Sequence, residues 1–190
     1  IILGPVIDSL GLDVEYYAEG RLVSSELYTL APFRVEKLRQ GGASNYRIDL
    51  MFDEDGLVTA TSHQTPEISI SGALGDTLEL EGTRFIVRRA PGTTRLPVAK
   101  PYFVKFFARD VSIQRLQGTV GVNMAPQNNT INLAYRHSRP QKCVDVLNSI
   151  CTFFIRYDKQ KKTQGIDQTI DFLDEQISSF SKEYYGIQDT

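Results

Sequence analysis

The sequence predicts an α+β fold: a mixed or antiparallel sheet packed with helices, with a C-terminal helix that starts a long coiled helix. Three observations predict it. Between residues 33 and 108, short runs alternate apolar and polar residues and are parted by turn residues, the period-two mark of half-buried strands. A short helical pattern opens the chain, with Ile2, Val6, Ile7 and Leu10 on one face. From Pro140 onward, apolar residues step by three and four, which is helical spacing. The expected division is an α+β base domain over 1–160 and the start of a long heptad helix over 161–190.

The elements follow in order. Pro5 is tolerated only in a first turn, so the opening helix should start near Gly4, with Gly11 just past its end. Residues 13–17 read as a strand and 21–27 as a second extended piece. Residues 33–38 and 46–52 alternate clearly, on either side of a Gly41-Gly42 turn. Asp53-Glu54-Asp55-Gly56 forms a hairpin tip, and 57–61 the return strand. Shorter strands at 68–70 and 78–80 lead to 85–89, completing a meander. The three prolines between residues 90 and 101 mark a loop before a strand at 102–108. Asp110 is placed as the cap of a short helix with Ile113 and Leu116 inward, and 118–122 as extended chain. Gln127-Asn128-Asn129 turns into a strand over 130–135. Ser138 with Gln141 reads as a capping box opening the last helix, whose first apolar stripe is Val144, Leu147, Cys151 and Phe154.

Composition bounds the function. The chain has 190 residues, 41% of them hydrophobic and 23% charged, which suits one folded domain with an appended element. Its 21 Lys+Arg against 23 Asp+Glu lack the basic excess of a nucleic-acid binder. No run approaches the ~18 continuous apolar residues of a membrane helix. No phosphate-loop pattern occurs, and the glycines at 72, 75 and 82 do not precede a helix, so no nucleotide cofactor is expected. His63 and His137 lie far apart and read as surface loop residues rather than metal ligands. Asp53, Glu54 and Asp55 lack the further ligands of a calcium loop. Cys143 and Cys151 sit eight residues apart on one helix. A rise of about 12 Å forbids a disulfide within it, so both read as small core residues. Asn128-Asn129-Thr130 matches a glycosylation acceptor and equally suits a turn. No catalytic residue stands out.

Two features point to contacts. Arg84, Arg88 and Arg89 make a local basic stretch with Arg95; it reads as an exposed strand of alternating charge or as a contact for an acidic glycan or a neighbouring subunit. On the last helix, Ile166, Ile170, Leu173, Ile177, Phe180 and Tyr184 step by four and three, a heptad seam. Gly165, at about 1 kcal/mol against helix, leads to an expected bend or break, or a helix carried through by packing. The seam packs either on the domain's own sheet or on another helix. Its run to the end of the chain favours the second, with Ile170, Leu173, Ile177 and Phe180 as the pairing residues. Both chain ends are expected to be cuts in a longer protein, since the first residue is Ile1 and the last stretch is helical.

Several segments together resemble a known family. They are Leu10-Gly11-Leu12-Asp13-Val14-Glu15-Tyr16-Tyr17-Ala18-Glu19-Gly20, then Glu26-Leu27-Tyr28 and Pro32-Phe33-Arg34-Val35. Later come Ile131-Asn132-Leu133-Ala134-Tyr135, Pro140, Val146-Leu147-Asn148-Ser149-Ile150 and Tyr157, and finally Ile170-Asp171-Phe172-Leu173-Asp174-Glu175-Gln176-Ile177. In this order and spacing they resemble the periplasmic part of Wzz/Wzc-type chain-length determinants, the polysaccharide co-polymerases, in the variety fused to a tyrosine kinase. The resemblance implies a periplasmic domain of an inner-membrane protein, held between two membrane helices, that forms a homo-oligomeric ring. It implies a scaffold without catalytic residues that regulates the chain length and export of an exopolysaccharide or capsule. Its partners would be a polysaccharide polymerase, an outer-membrane export protein and the polysaccharide itself. Any ATP chemistry would sit in a separate cytoplasmic kinase domain. The alternatives are a glycan-binding module of a cell-surface protein, for which the Tyr and Phe content allows and the lack of Trp counts against, and a small hydrolase, which no motif supports.

Overall fold

The structure, a computed structural model, describes residues 2–20, 22–41, 45–98, 100–125 and 130–188; the side chains of residue 125 and of residues 179–188 lie outside that description. The fold is α+β, with three helices packed on three sheets. The strands are β1 (Val14–Ala18), β2 (Ser25–Glu26), β3 (Phe33–Arg39), β4 (Asn45–Phe52), β5 (Leu57–Ser62), β6 (Ser69–Ala73), β7 (Thr77–Leu80), β8 (Thr83–Arg89), β9 (Tyr102–Phe107), β10 (Val120–Ala125) and β11 (Thr130–Tyr135). The helices are α1 (Leu3–Leu10), α2 (Arg109–Thr119) and α3 (Pro140–Gln188).

A six-stranded sheet runs in the order β2-β1-β9-β4-β5-β6, a three-stranded sheet in the order β3-β8-β7, and β10 and β11 form a separate ribbon. Every pairing between these strands is antiparallel. The strands from 33 to 89 are therefore two sheets rather than one meander: β3 pairs with β8, while β4 pairs with β9 and β5. The alternation read from the sequence holds within each strand. Along β4, Tyr46, Ile48, Leu50 and Phe52 turn into the core while the residues between them do not. They meet Phe33 and Val35 of β3, Phe85 and Val87 of β8, and Val104 and Phe106 of β9. At the centre, the Phe33 ring meets Tyr16, Phe52 and Tyr102 at centroid distances of 5.7, 5.1 and 5.4 Å, in tilted or edge-on geometry.

The tight turn between β7 and β8 also clamps the two larger sheets. Glu81 takes a left-handed backbone (φ 48°) ahead of Gly82 (φ 78°). Its Oε2 accepts hydrogen bonds from Tyr46 at 2.6 Å and Ser62 at 2.9 Å, both on the six-stranded sheet. These donors hold the Glu81 carboxyl below its ordinary value, and burial with the Glu81 contact pushes the Tyr46 phenol up to about 12.

A second core lies on the other side, where α1, α2 and the start of α3 meet through Val6, Ile7, Leu12, Leu116, Val146 and Ile150. Gly11 closes α1 with φ +60°, and the Leu12 N–H donates to the Ile7 carbonyl at 3.1 Å, as the sequence predicts for a glycine just past a helix end. Arg109 opens α2 with two bonds to Asp8 of α1, at 2.9 and 2.7 Å.

Several expectations are corrected. The extended piece expected at 21–27 shrinks to the two residues of β2, followed by a 3₁₀ turn over Tyr28–Leu30. The α2 cap is Ala108, not Asp110, which sits inside the first turn. The helix continues through Gly118 and Thr119, where extended chain was expected, and the Thr119 hydroxyl takes up the carbonyls of Arg115 and Leu116 in its last turn. The Ser138 capping box does not form; α3 begins at Pro140, and the Gln141 amide donates forward to Asp145 at 2.7 Å. Arg21, Gly42 and the Gln127-Asn128-Asn129 turn, with its acceptor asparagine, lie outside the described residues.

Phe33 has no exposed surface and touches three rings, so Phe33→Ala should cost about 3–5 kcal/mol of folding stability, read from denaturant unfolding. A loss below about 1 kcal/mol would contradict this packing.

Candidate functional site

The longest element, α3, is held at its start, and among the described side chains nothing holds it further along. Val146 and Ile150 are buried against α1 and α2, and Phe153 packs beside them. From Lys159 to Ser178 every side chain is exposed. The helix is unbroken through Gly165, and among the described residues nothing outside the helix's own turn lies within 4 Å of where a Cβ would stand there. The buried face differs from the stripe that sequence spacing picks out: Val144 and Phe154 are 51% and 45% exposed. The cysteines are likewise not core residues; Cys151 is exposed and Cys143 partly so. The reason is that α3 carries two apolar stripes on opposite sides, and the domain covers the one on which Lys142 interrupts the apolar pattern.

Lys142 explains why that face is buried. Its ammonium, on a side chain only 6% exposed, lies 2.6 Å from Glu26 Oε1 of β2 and 3.8 Å from Glu15 Oε1 of β1. Glu15 also accepts from Arg115 of α2 at 3.0 Å and from the Tyr17 hydroxyl at 2.8 Å. Glu26 meets His137 Nε2 at 3.0 Å, and the Arg139 guanidinium donates to the Glu26 backbone carbonyl. Each buried carboxylate oxygen therefore has a partner, which is the condition for burying charge without a large penalty. The network joins β1, β2, α2 and α3 at the helix root. His137 belongs to it and is not the surface residue expected. Its Nδ1 accepts the Arg139 backbone N–H at 3.2 Å, so the ring fits as the neutral Nε2–H tautomer donating to Glu26.

Beyond the root, the seam residues stand in solvent. Ile166, Ile170, Leu173 and Ile177 are 60, 50, 51 and 62% exposed. The reading in which the seam packs on the domain's own sheet is therefore overturned. The side chains of Phe180 and Tyr184 lie outside the described residues. The structure adds what spacing by sevens missed. Val144, Ile155, Ile166 and Ile177 recur every eleven residues and are all more than half exposed. An eleven-residue period corresponds to about 3.67 residues per turn, so the stripe drifts slowly around the helix, in the opposite sense to a heptad seam. It spans 33 residues, about 50 Å. The ribbon carries a second apolar face whose inner part, Val120, Leu133 and Tyr135, packs on the helical core and whose outer part is open: Val122, Met124 and Ile131 are 59%, 73% and 45% exposed.

Arg84, Arg88 and Arg89 all lie on β8 of the three-stranded sheet, and each has a partner, whereas Arg95 lies beyond the sheet. Arg84 pairs with Glu79 at 2.5 Å and Arg88 with Glu36 at 3.4 Å, while Arg89 donates to the Thr94 carbonyl at 3.2 Å. Asp53-Glu54-Asp55-Gly56 is a hairpin tip, closed by Asp53 Oδ1 accepting the Leu57 N–H. Among the described residues, no three His, Cys, Asp or Glu side chains are grouped to hold a metal ion, and no helix is long and apolar enough to cross a membrane. No protein-family model matches the chain, and no curated protein does.

Burial, then the charge of Lys142, hold the His137 imidazole below its ordinary value of 6.5, against the opposing pull of Glu26. The folded ring thus takes its proton at lower pH than the unfolded one. Stability tied to the neutral ring is complete above about 6.5 and is lost as pH falls through the lowered folded value. Denaturant unfolding between pH 8 and 5 should show stability falling with acid, and His137→Asn should flatten that fall. Equal slopes in the two proteins would contradict this account of the root.

Proposed function

We propose that the chain is the base domain of a Wzz/Wzc-type polysaccharide co-polymerase: a non-enzymatic periplasmic scaffold of an inner-membrane protein. In this reading it self-associates through α3 and regulates the chain length and export of an exopolysaccharide or capsule. The observation that supports it best is the exposed seam. Most of a helix's stability in a protein comes from packing an amphipathic face rather than from propensity, so the apolar face of α3 beyond its root calls for a cover. Four seam residues, each at least half exposed at coiled-coil spacing, make a surface suited to a like helix. The apolar ribbon face supplies a second surface of the same kind. The segment resemblance supplies the rest of the proposal: the membrane anchors, the ring, the polymerase and the outer-membrane export protein, and a kinase domain elsewhere in the parent.

The test uses the full-length membrane protein. With Cys143 and Cys151 replaced by Ser, a Leu173→Cys variant should give disulfide-linked oligomers in cells on mild oxidation. Ile177→Glu in the same background should reduce both the crosslinked species and the length of the polymer. A protein that stays monomeric while it supports normal polymer production would sink the proposal.

A further inference from the structure

Beside the ionic network lies a cavity of about 110 Å³, between α2, the end of β11 and the root of α3. It is lined by Ser112, Arg115, Tyr135, Arg136, His137 and Lys142, with Glu15 at its side. The network does not use three of these groups, Ser112, Tyr135 and Arg136, and two of them matter here. The Ser112 hydroxyl is buried, on a residue 3% exposed, and has no hydrogen-bond partner among the described residues. A buried hydroxyl left unpaired costs about 1–3 kcal/mol, so its position calls for a partner that fills the cavity. The Arg136 guanidinium, at the exposed mouth, has no ion pair or hydrogen bond among the described residues, whereas Arg115 and Lys142 are neutralised by Glu15 and Glu26. Three fixed cations line the cavity against one carboxylate. Even with Glu26 counted behind Lys142, one positive charge is left over.

We propose that this cavity is a binding site for a tetrahedral oxyanion, the phosphate group of a free or esterified phosphate. Arg136 supplies the charge and a paired N–H fork, Ser112 donates from the wall, and Lys142 and Arg115 keep the surrounding field positive. The donors come from two different elements, α2 and the chain after β11, and the Lys142 ammonium approaches from a third, α3. That spread suits an acceptor with oxygens pointing in several directions better than a planar carboxylate, which presents two coplanar oxygens. The volume suits a phosphate group, and the open mouth leaves a path for an ester chain.

Isothermal titration of the 190-residue chain with inorganic phosphate and with methyl phosphate, at constant ionic strength, tests the site. Saturable binding of inorganic phosphate alone would identify free phosphate as the ligand; binding of both would identify a phosphate ester. Arg136→Ala should weaken binding about tenfold, the worth of one charge-assisted hydrogen bond, with the circular dichroism spectrum unchanged. Ser112→Ala should weaken it about threefold without lowering stability in phosphate-free buffer, since it removes only an unpaired hydroxyl. Arg84→Ala, on the distant sheet, should leave binding unchanged. The proposal is overturned by no saturable binding up to tens of millimolar, by acetate binding as well as phosphate, or by Arg84→Ala and Arg136→Ala having equal effects.

Discussion

The contact of Lys142 with Glu26 is the constraint on which the rest of the arrangement depends. It joins the first turn of α3 to the edge strand β2 at 2.6 Å, with both side chains less than a tenth exposed. A pair buried in this way adds little stability over an apolar pair of the same shape, but breaking it by removing one member costs about 3–5 kcal/mol. Its effect here is geometric. With Glu15, Arg115 and His137 around it, the observed rotation of α3 is the one that brings Lys142 to both Glu26 and Glu15. That rotation turns Val146 and Ile150 inward and, on the opposite side, leaves Val144, Ile155 and the seam residues in solvent. A polar network thus selects which of two apolar stripes the domain buries.

Energetic roles divide along the same lines. The phenylalanine-rich core between the two larger sheets supplies the bulk of the apolar burial and needs nothing from α3. The smaller helical core and the ionic network fix the root. From residue 159 to 178 every side chain of the helix is exposed, so its apolar face there is available for another helix. Fold stability and assembly surface are thereby carried by different residues, and substitutions in the seam act on one without the other.

The strands were legible because period-two alternation is a local property. Tyr46, Ile48, Leu50 and Phe52 announce both their strand and their buried face, and Gly11 announces the end of α1. Sheet partners were not legible: the exchange of β3 to β8 and β4 to β9 depends on pairing across dozens of residues. The face of α3 was misread for a related reason. A lysine at the start of an apolar stripe reads as solvent-facing until Glu15 and Glu26, more than a hundred residues away, are seen to meet it. His137 and the Ser112 cavity were hidden in the same way, since neither has a local pattern. The exposed stripe did have one: the interval of eleven from Val144 to Ile177 is present in the sequence and would have shown that the seam extends back to the root.

Amide hydrogen exchange along α3 tests the central claim most directly. In the dilute chain, amides around Val146 and Ile150 should exchange slowly, near the global unfolding limit, while those from about Lys159 to Ile177 exchange orders of magnitude faster. In the assembled full-length protein the second group should become protected. Uniform protection of the whole helix in the dilute monomer would contradict a helix held only at its root.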